Sequence, residues 1–151
     1  MKIERVKKPA DEQTIDQITD LMLEQMMQIS VDITRETLKK TVRQALSSES
    51  DCEFFISETS SGEIVGAAFL NIGIGLDKGG RYIWLNELYV RKDMRQQGIA
   101  KRLLLNLLHW AENEGFQGIE LETGISDQAT KQLYNSLGFY DIVSKRYGRT
   151  L

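Results

Sequence analysis

The chain has 151 residues, 41% hydrophobic and 27% charged, a balance that fits one compact domain over residues 1–151 and argues against wholesale disorder. Its net charge of −3 argues against a nucleic-acid partner. The charged opening (Lys2, Glu4, Arg5, Lys7, Lys8) is no signal peptide, no stretch reaches the roughly 18 apolar residues of a membrane span, and the lone Cys52 excludes a disulfide framework or a Cys-based zinc site. The expectation is a cytoplasmic protein without metal or membrane partner.

Lys2 to Val6 reads as an opening strand ended by Pro9. Apolar residues at Ile15, Ile18, Met22, Met26 and Ile29 recur at helical spacing, with Asp11 or Thr14 as cap. Thr34 caps a second helix whose apolar face is Leu38, Val42, Ala45 and Leu46. Cys52 to Glu58 and Ile64 to Ile72 are strands joined at Ser60-Ser61-Gly62, a hairpin. The glycine-rich run Gly73 to Gly80 reads as a connection. It leads into another strand, not a helix, so it lacks the context of a dinucleotide fingerprint.

Arg81 to Val90 is a long strand, bulky enough along its length to lie inside a sheet. Ala100, Leu103, Leu104, Leu107, Leu108 and Ala111 then form the stripe of a strong helix, with Gly115 where a C-terminal cap belongs. His109, the only histidine, sits on this helix as a surface or boundary residue. Ile119, Leu121 and Thr123 alternate with Glu120 and Glu122 in a half-buried strand. Ala129, Leu133 and Leu137 make one face of a last helix stopped by Gly138, and Phe139 to Tyr147 reads as a terminal strand. The order β-α-α-β-β-β-α-β-α-β gives an α/β (α+β) fold, a mixed sheet with helices on both faces, in which the strands around the strong helix are parallel neighbours.

Between the long strand and the strong helix stands Arg95-Gln96-Gln97-Gly98-Ile99-Ala100. The first N–H groups of a helix lack internal partners and carry the positive end of its dipole, so this position favours a phosphate. Gly98 permits close backbone approach and a positive φ, Ala100 does not obstruct it, and Arg95 adds charged donors. Arg91, Lys92, Arg95, Lys101 and Arg102 make a basic cluster on an acidic chain, as a bound polyphosphate requires. Alone, the turn specifies an anion and nothing more.

The segment from Leu88 to Ala100, with its Arg-x-x-Gly-x-Ala spacing, resembles the GCN5-related N-acetyltransferase superfamily. So does Ala129 to Phe139, which has that family's Ala-x-x-x-Leu-Tyr-x-x-x-Gly-Phe pattern. The element order matches over essentially the whole chain. The resemblance implies a sheet that splays open between the long strand and the Ile119 strand, acetyl-CoA as acetyl donor, and an amine of a small molecule or peptide as acceptor. It assigns cofactor contacts to Leu88, Tyr89, Val90, Arg95, Gln96, Gln97, Gly98, Ile99, Ala100, Lys101 and Asp127. The N–H groups of Leu88 and Val90 would hold the pantetheine amides.

Acyl transfer to an amine needs the neutral amine, whereas an alkylamine of pKa about 10.4 is mostly protonated at neutral pH. A carboxylate must therefore accept a proton, and an acid must protonate the leaving thiolate. Glu87, before Leu88-Tyr89-Val90, is the candidate base, and Tyr134 matches the family's usual acid. Asp127 departs from the family, which often has asparagine seven residues before the tyrosine; it can instead cap the last helix. A shortened C-terminus would leave a sheet edge able to pair with a second copy as a homodimer. Met22, Met26 and Met27 can be core or an adaptable pocket wall, and Glu24, Asp32 and Glu36 either solvate the surface or attract a cationic amine. An acyl-CoA-binding sensor without catalysis is the alternative function; it would need the turn but neither Glu87 nor Tyr134.

Overall fold

The computed structural model describes residues 1–123 and 128–151. Five strands, β1 (Lys2–Arg5), β2 (Cys52–Glu58), β3 (Ile64–Gly75), β4 (Gly80–Val90) and β5 (Ile119–Leu121), form one sheet in the order β1-β2-β3-β4-β5. The first four are antiparallel neighbours, and β5 runs parallel to β4 after the connection through α3 (Ile99–Asn113). Helices α1 (Glu12–Gln28) and α2 (Arg35–Ala45) precede β2, and α4 (Gln128–Ser136) follows β5. The mixed sheet is the one expected from the element order.

The helices start where short polar side chains satisfy the first N–H groups. The Asp11 carboxylate accepts from Thr14 N–H at 2.8 Å, and the Thr34 hydroxyl accepts from Thr37 N–H at 3.2 Å. Their apolar stripes then divide the core in two. On one face Ile15, Ile18 and Met22 of α1 and Leu38 and Val42 of α2 pack on Phe54, Ile56, Ala67 and Tyr89. On the other, Leu103, Leu104 and Leu107 of α3 cover Phe55, Ala68, Leu70, Ile83 and Leu85. These three leucines are completely buried, each stabilising the fold by about 1.5–3 kcal/mol relative to an exposed position.

One irregularity in β4 matters for the site. Phe69 pairs with Glu87 while its neighbour Leu70 pairs with Leu85, so Asn86 is an extra residue, a β-bulge. Before it, Ile83 and Leu85 face α3; after it, Leu88 and Val90 do, which turns Glu87 and Tyr89 toward α1. β5 pairs with Ile83 to Leu85, and among the described residues β4 has no strand partner on that side beyond the bulge. The sheet opens there, as the resemblance implied.

Two elements differ from expectation. Half of the glycine-rich run is strand: Gly73 pairs with Tyr82 and Gly75 with Gly80. The glycines make room for an aromatic ring, since a Cβ at Gly73 would lie 3.3 Å from the Tyr82 ring and one at Gly75 3.2 Å from it. The terminal strand expected over Phe139 to Tyr147 is not formed. A strand needs a partner, and the β5 edge offers three residues; Ile142 and Val143 instead lie exposed, and the segment is tied by ion pairs of Asp141 to Lys131 and Arg146 to Glu122.

Candidate acyl-donor and catalytic cleft

The opening between β4 and β5 continues into a cleft of about 490 Å³, walled by the end of β4, the following loop, the start of α3, the end of α1 and the face of α4. Arg91 N–H donates to the Val65 carbonyl across the β3–β4 pair at 2.8 Å. By the alternation of a strand, the N–H groups of Leu88 and Val90 therefore point the other way, into the gap. The Val90 carbonyl on that side accepts from Arg95 Nε at 2.9 Å.

Gly98 caps α3 in the left-handed conformation, φ 77°, and a Cβ there would meet nothing within 4 Å. The glycine is required by backbone conformation and borders open space. Arg102 N–H makes the first intrahelical bond, to the Gly98 carbonyl, so the N–H groups of Ile99, Ala100 and Lys101 have no acceptor in their own helix. Gln96 also has a positive φ, 62°, unusual for a residue of its type. This is a cradle for an anion at a helix N-terminus.

The basic cluster is more divided than its sequence suggests. Arg91 pairs with Asp93 and Glu63, and Arg102 reaches the Met1 carbonyl. Arg95 and Lys101 line the cleft. The Arg95 guanidinium also stacks 5.2 Å from the Tyr89 ring centroid and donates to Gln28 Oε1 at 3.0 Å, bracing the loop between β4 and α1.

Leu88, Tyr89, Val90, Arg95, Gln96, Gly98, Ile99, Ala100 and Lys101 all line the cleft, as does Tyr134; Gln97 does not, and Asp127 lies outside the described residues. Tyr134 projects from α4 with its ring edge-on to Phe139 at 5.4 Å, and burial pushes its hydroxyl up to about 12, so it stays a phenol throughout the neutral range. Tyr134 also borders a larger cavity of about 1060 Å³ among α3, β5, α4 and the C-terminal segment.

Glu87 is not in the cleft wall; Gln25 of α1 is, and its amide donates to the Glu87 carboxylate. Burial raises the Glu87 carboxyl above its ordinary value, opposed by this hydrogen bond. The Tyr89 hydroxyl donates to Glu24 Oε1 at 3.0 Å. Gln25, Gln28, Ile29, Met94, Thr130 and Leu133 are wall residues that the sequence reading missed. Gln25 carried one signal: it sits three residues after buried Met22 and four before Ile29, a polar side chain beside an apolar stripe.

His109 is exposed on α3. Of the methionines read as core or pocket wall, Met27 departs from that expectation. Met22 is core and Met26 partly so, while Met27 is exposed. The Cys52 thiol is pushed up chiefly by burial, with Asp51 and Glu53 adding to it and Lys8 opposing.

Residues 16–139 match the model of the acetyltransferase (GNAT) family. N-acetyltransferase 8 of Rattus norvegicus is 35% identical over 86 residues, 57% of this chain and 38% of that protein. N-acetyltransferase 8 of Homo sapiens is 30% identical over 111 residues, 72% of this chain and 48% of that protein. The chain thus spans less than half the length of these curated relatives. Among solved structures, a probable acetyltransferase superposes with a TM-score of 0.86 at 18% identity, covering 100% of this chain and 98% of that one. An aminoglycoside N-acetyltransferase in complex with CoA gives 0.77 at 18% identity, covering 99% and 93%.

Proposed function

The chain belongs to the acetyltransferase (GNAT) family, and from that premise we propose that it is an N-acetyltransferase that takes acetyl-CoA as donor and acetylates a primary amine of a small molecule or peptide by direct attack. The observation that carries the reading is the joint wall of one cleft: an anion cradle at Gly98 to Lys101, the strand N–H groups of Leu88 and Val90 that point into the gap, and the half-buried phenol of Tyr134. A sensor would need only the first two.

When bound, acetyl-CoA supplies a thioester carbonyl open to attack. The residues of the chain do the rest. Ile99, Ala100 and Lys101 N–H groups hold the pyrophosphate, with Arg95 and Lys101 as counter-charges. Leu88 and Val90 N–H groups align the pantetheine arm and polarise the carbonyl. Glu87 accepts the proton of the incoming ammonium through a water, since it stands behind the cleft wall, and its burial raises its basicity toward that task. Tyr134 gives its hydroxyl proton to the departing sulfur.

The free Cys52 suits a reducing, cytoplasmic setting, which belongs to this proposal. For the acceptor, the aminoglycoside acetyltransferase neighbour makes polyamino sugars one arm of the decisive experiment. Purified protein is incubated with acetyl-CoA and a panel of aminoglycosides, polyamines, amino acids and peptides, and thiol release is followed. Turnover with at least one amine is expected. Thermal stabilisation by acetyl-CoA with no thiol release from any amine would favour the sensor.

A further inference from the structure

Resting on Glu87 as base, we propose that Gln25 is its positioning residue and serves both protonation states: the amide N–H holds the carboxylate at rest, and the amide oxygen, after the side chain turns over, receives the O–H of the acid once a proton has arrived. Three observations carry this. The bulge at Asn86 turns Glu87 onto the α1 face, where Gln25 donates to it. Gln25 also lines the cleft, whereas Glu87 does not, so Gln25 stands between the base and the reaction space. The third is an asymmetry: among the described residues, nothing donates a hydrogen bond to the buried Gln25 Oε1.

A side chain selected only for packing would have both amide ends satisfied, or would be apolar, because an unpaired buried oxygen is unfavourable. At rest, turning Oε1 toward Glu87 would place two acceptors in contact, so the carboxylate fixes the amide with N–H inward. After proton transfer the requirement reverses. The ammonium N–H bond has broken, its electron pair remains on nitrogen, and a new O–H bond stands on Glu87. That O–H needs an acceptor, and Oε1 is available because it holds no other partner.

The charged neighbours do not supply this support. Glu24 on α1 receives the Tyr89 hydroxyl, and Arg95 is stacked on the Tyr89 ring. From β3 the residue opposite Glu87 is Phe69. Burial, opposed by Gln25, accounts for the displacement of Glu87.

The test is the pH profile of kcat/KM for wild type, Gln25→Met, Gln25→Glu and Glu87→Gln, using the amine that turns over. Gln25→Met removes the donor at similar volume, so the acid limb should move to higher pH, with about five-fold more loss on the acid side than above the limb. Gln25→Glu should move it in the same direction through like-charge repulsion. Glu87→Gln should remove the limb. A Gln25→Met loss equal at every pH, or no displacement while Glu87→Gln still abolishes the limb, overturns the role of Gln25 alone. A wild-type limb retained in Glu87→Gln overturns Glu87 as base. Should Gln25→Met fail to fold by circular dichroism, the Gln25→Glu profile decides, an unmoved limb overturning the proposal.

Discussion

A half-buried carboxylate works against folding. The Glu87 pKa is raised in the folded state, so folding favours its protonated form; stability is fully present below the unfolded pKa and declines as pH rises through the folded one. Glu87→Gln, always neutral, should therefore raise the melting temperature at pH 7, with the difference from wild type shrinking toward pH 4. Thermal scans at the two pH values check the sign. Tyr134 sits on the other side of the reaction. Its hydroxyl, pushed up to about 12, holds its proton at any working pH. Tyr134→Phe should lower kcat by about 10²-fold or more, within the usual range for loss of a general acid, while acetyl-CoA affinity stays near wild type. Steady-state turnover together with calorimetric cofactor titration separates the two effects.

At the scale of elements, the strand-turn-helix unit from β4 to α3 organises the cleft. Gly98→Asp puts a charged side chain at a left-handed position that borders the anion cradle. It should abolish the thermal stabilisation that acetyl-CoA gives by mass action, and the protein alone should still unfold cooperatively. Stabilisation equal to wild type would remove the turn from the site. This unit was also the most legible part of the sequence, because Arg95, Gly98, Ala100 and the α3 leucines are local signals. Glu87 was named from the sequence, but its pairing with Gln25 was hidden for a different reason. Their meeting depends on a one-residue bulge between β3 and β4 and on how α1 crosses the sheet, and neither follows from periodicity. The strand expected over Phe139 to Tyr147 failed similarly: its apolar residues fit a strand, but pairing is decided by the partner edge, here only three residues long.

The whole molecule is a sheet with two separate cores, and the proposed chemistry passes from one to the other. The acid, Tyr134, packs with the α3 core, whereas Glu87 lies on the face covered by α1 and α2. The α1–α2 layer is fastened outside its core by Glu12, which Lys39 and Arg43 hold at about 2, and by Asp16 with Arg35 and Lys39. These are exposed pairs, individually weak and screened by salt. Substitutions at these exposed pairs leave the α3 packing on the other face untouched.

The single extra residue at Asn86 is what divides the labour. It acts as a phase shift in β4: upstream of it odd-numbered residues face α3, and downstream even-numbered ones do. Deleting Asn86 would restore one continuous alternation along the strand. Ile83, Leu85, Leu88 and Val90 would all stay on the α3 face and Glu87 and Tyr89 on α1, because the phase shift and the residue that causes it are removed together. The deletion variant should therefore still unfold cooperatively in a thermal scan, and a loss of acetyl transfer in it would come from the bend and twist that the bulge gives the strand. With Asn86 present, the face on which Glu87 stands depends on that one residue being bulged out of the ladder.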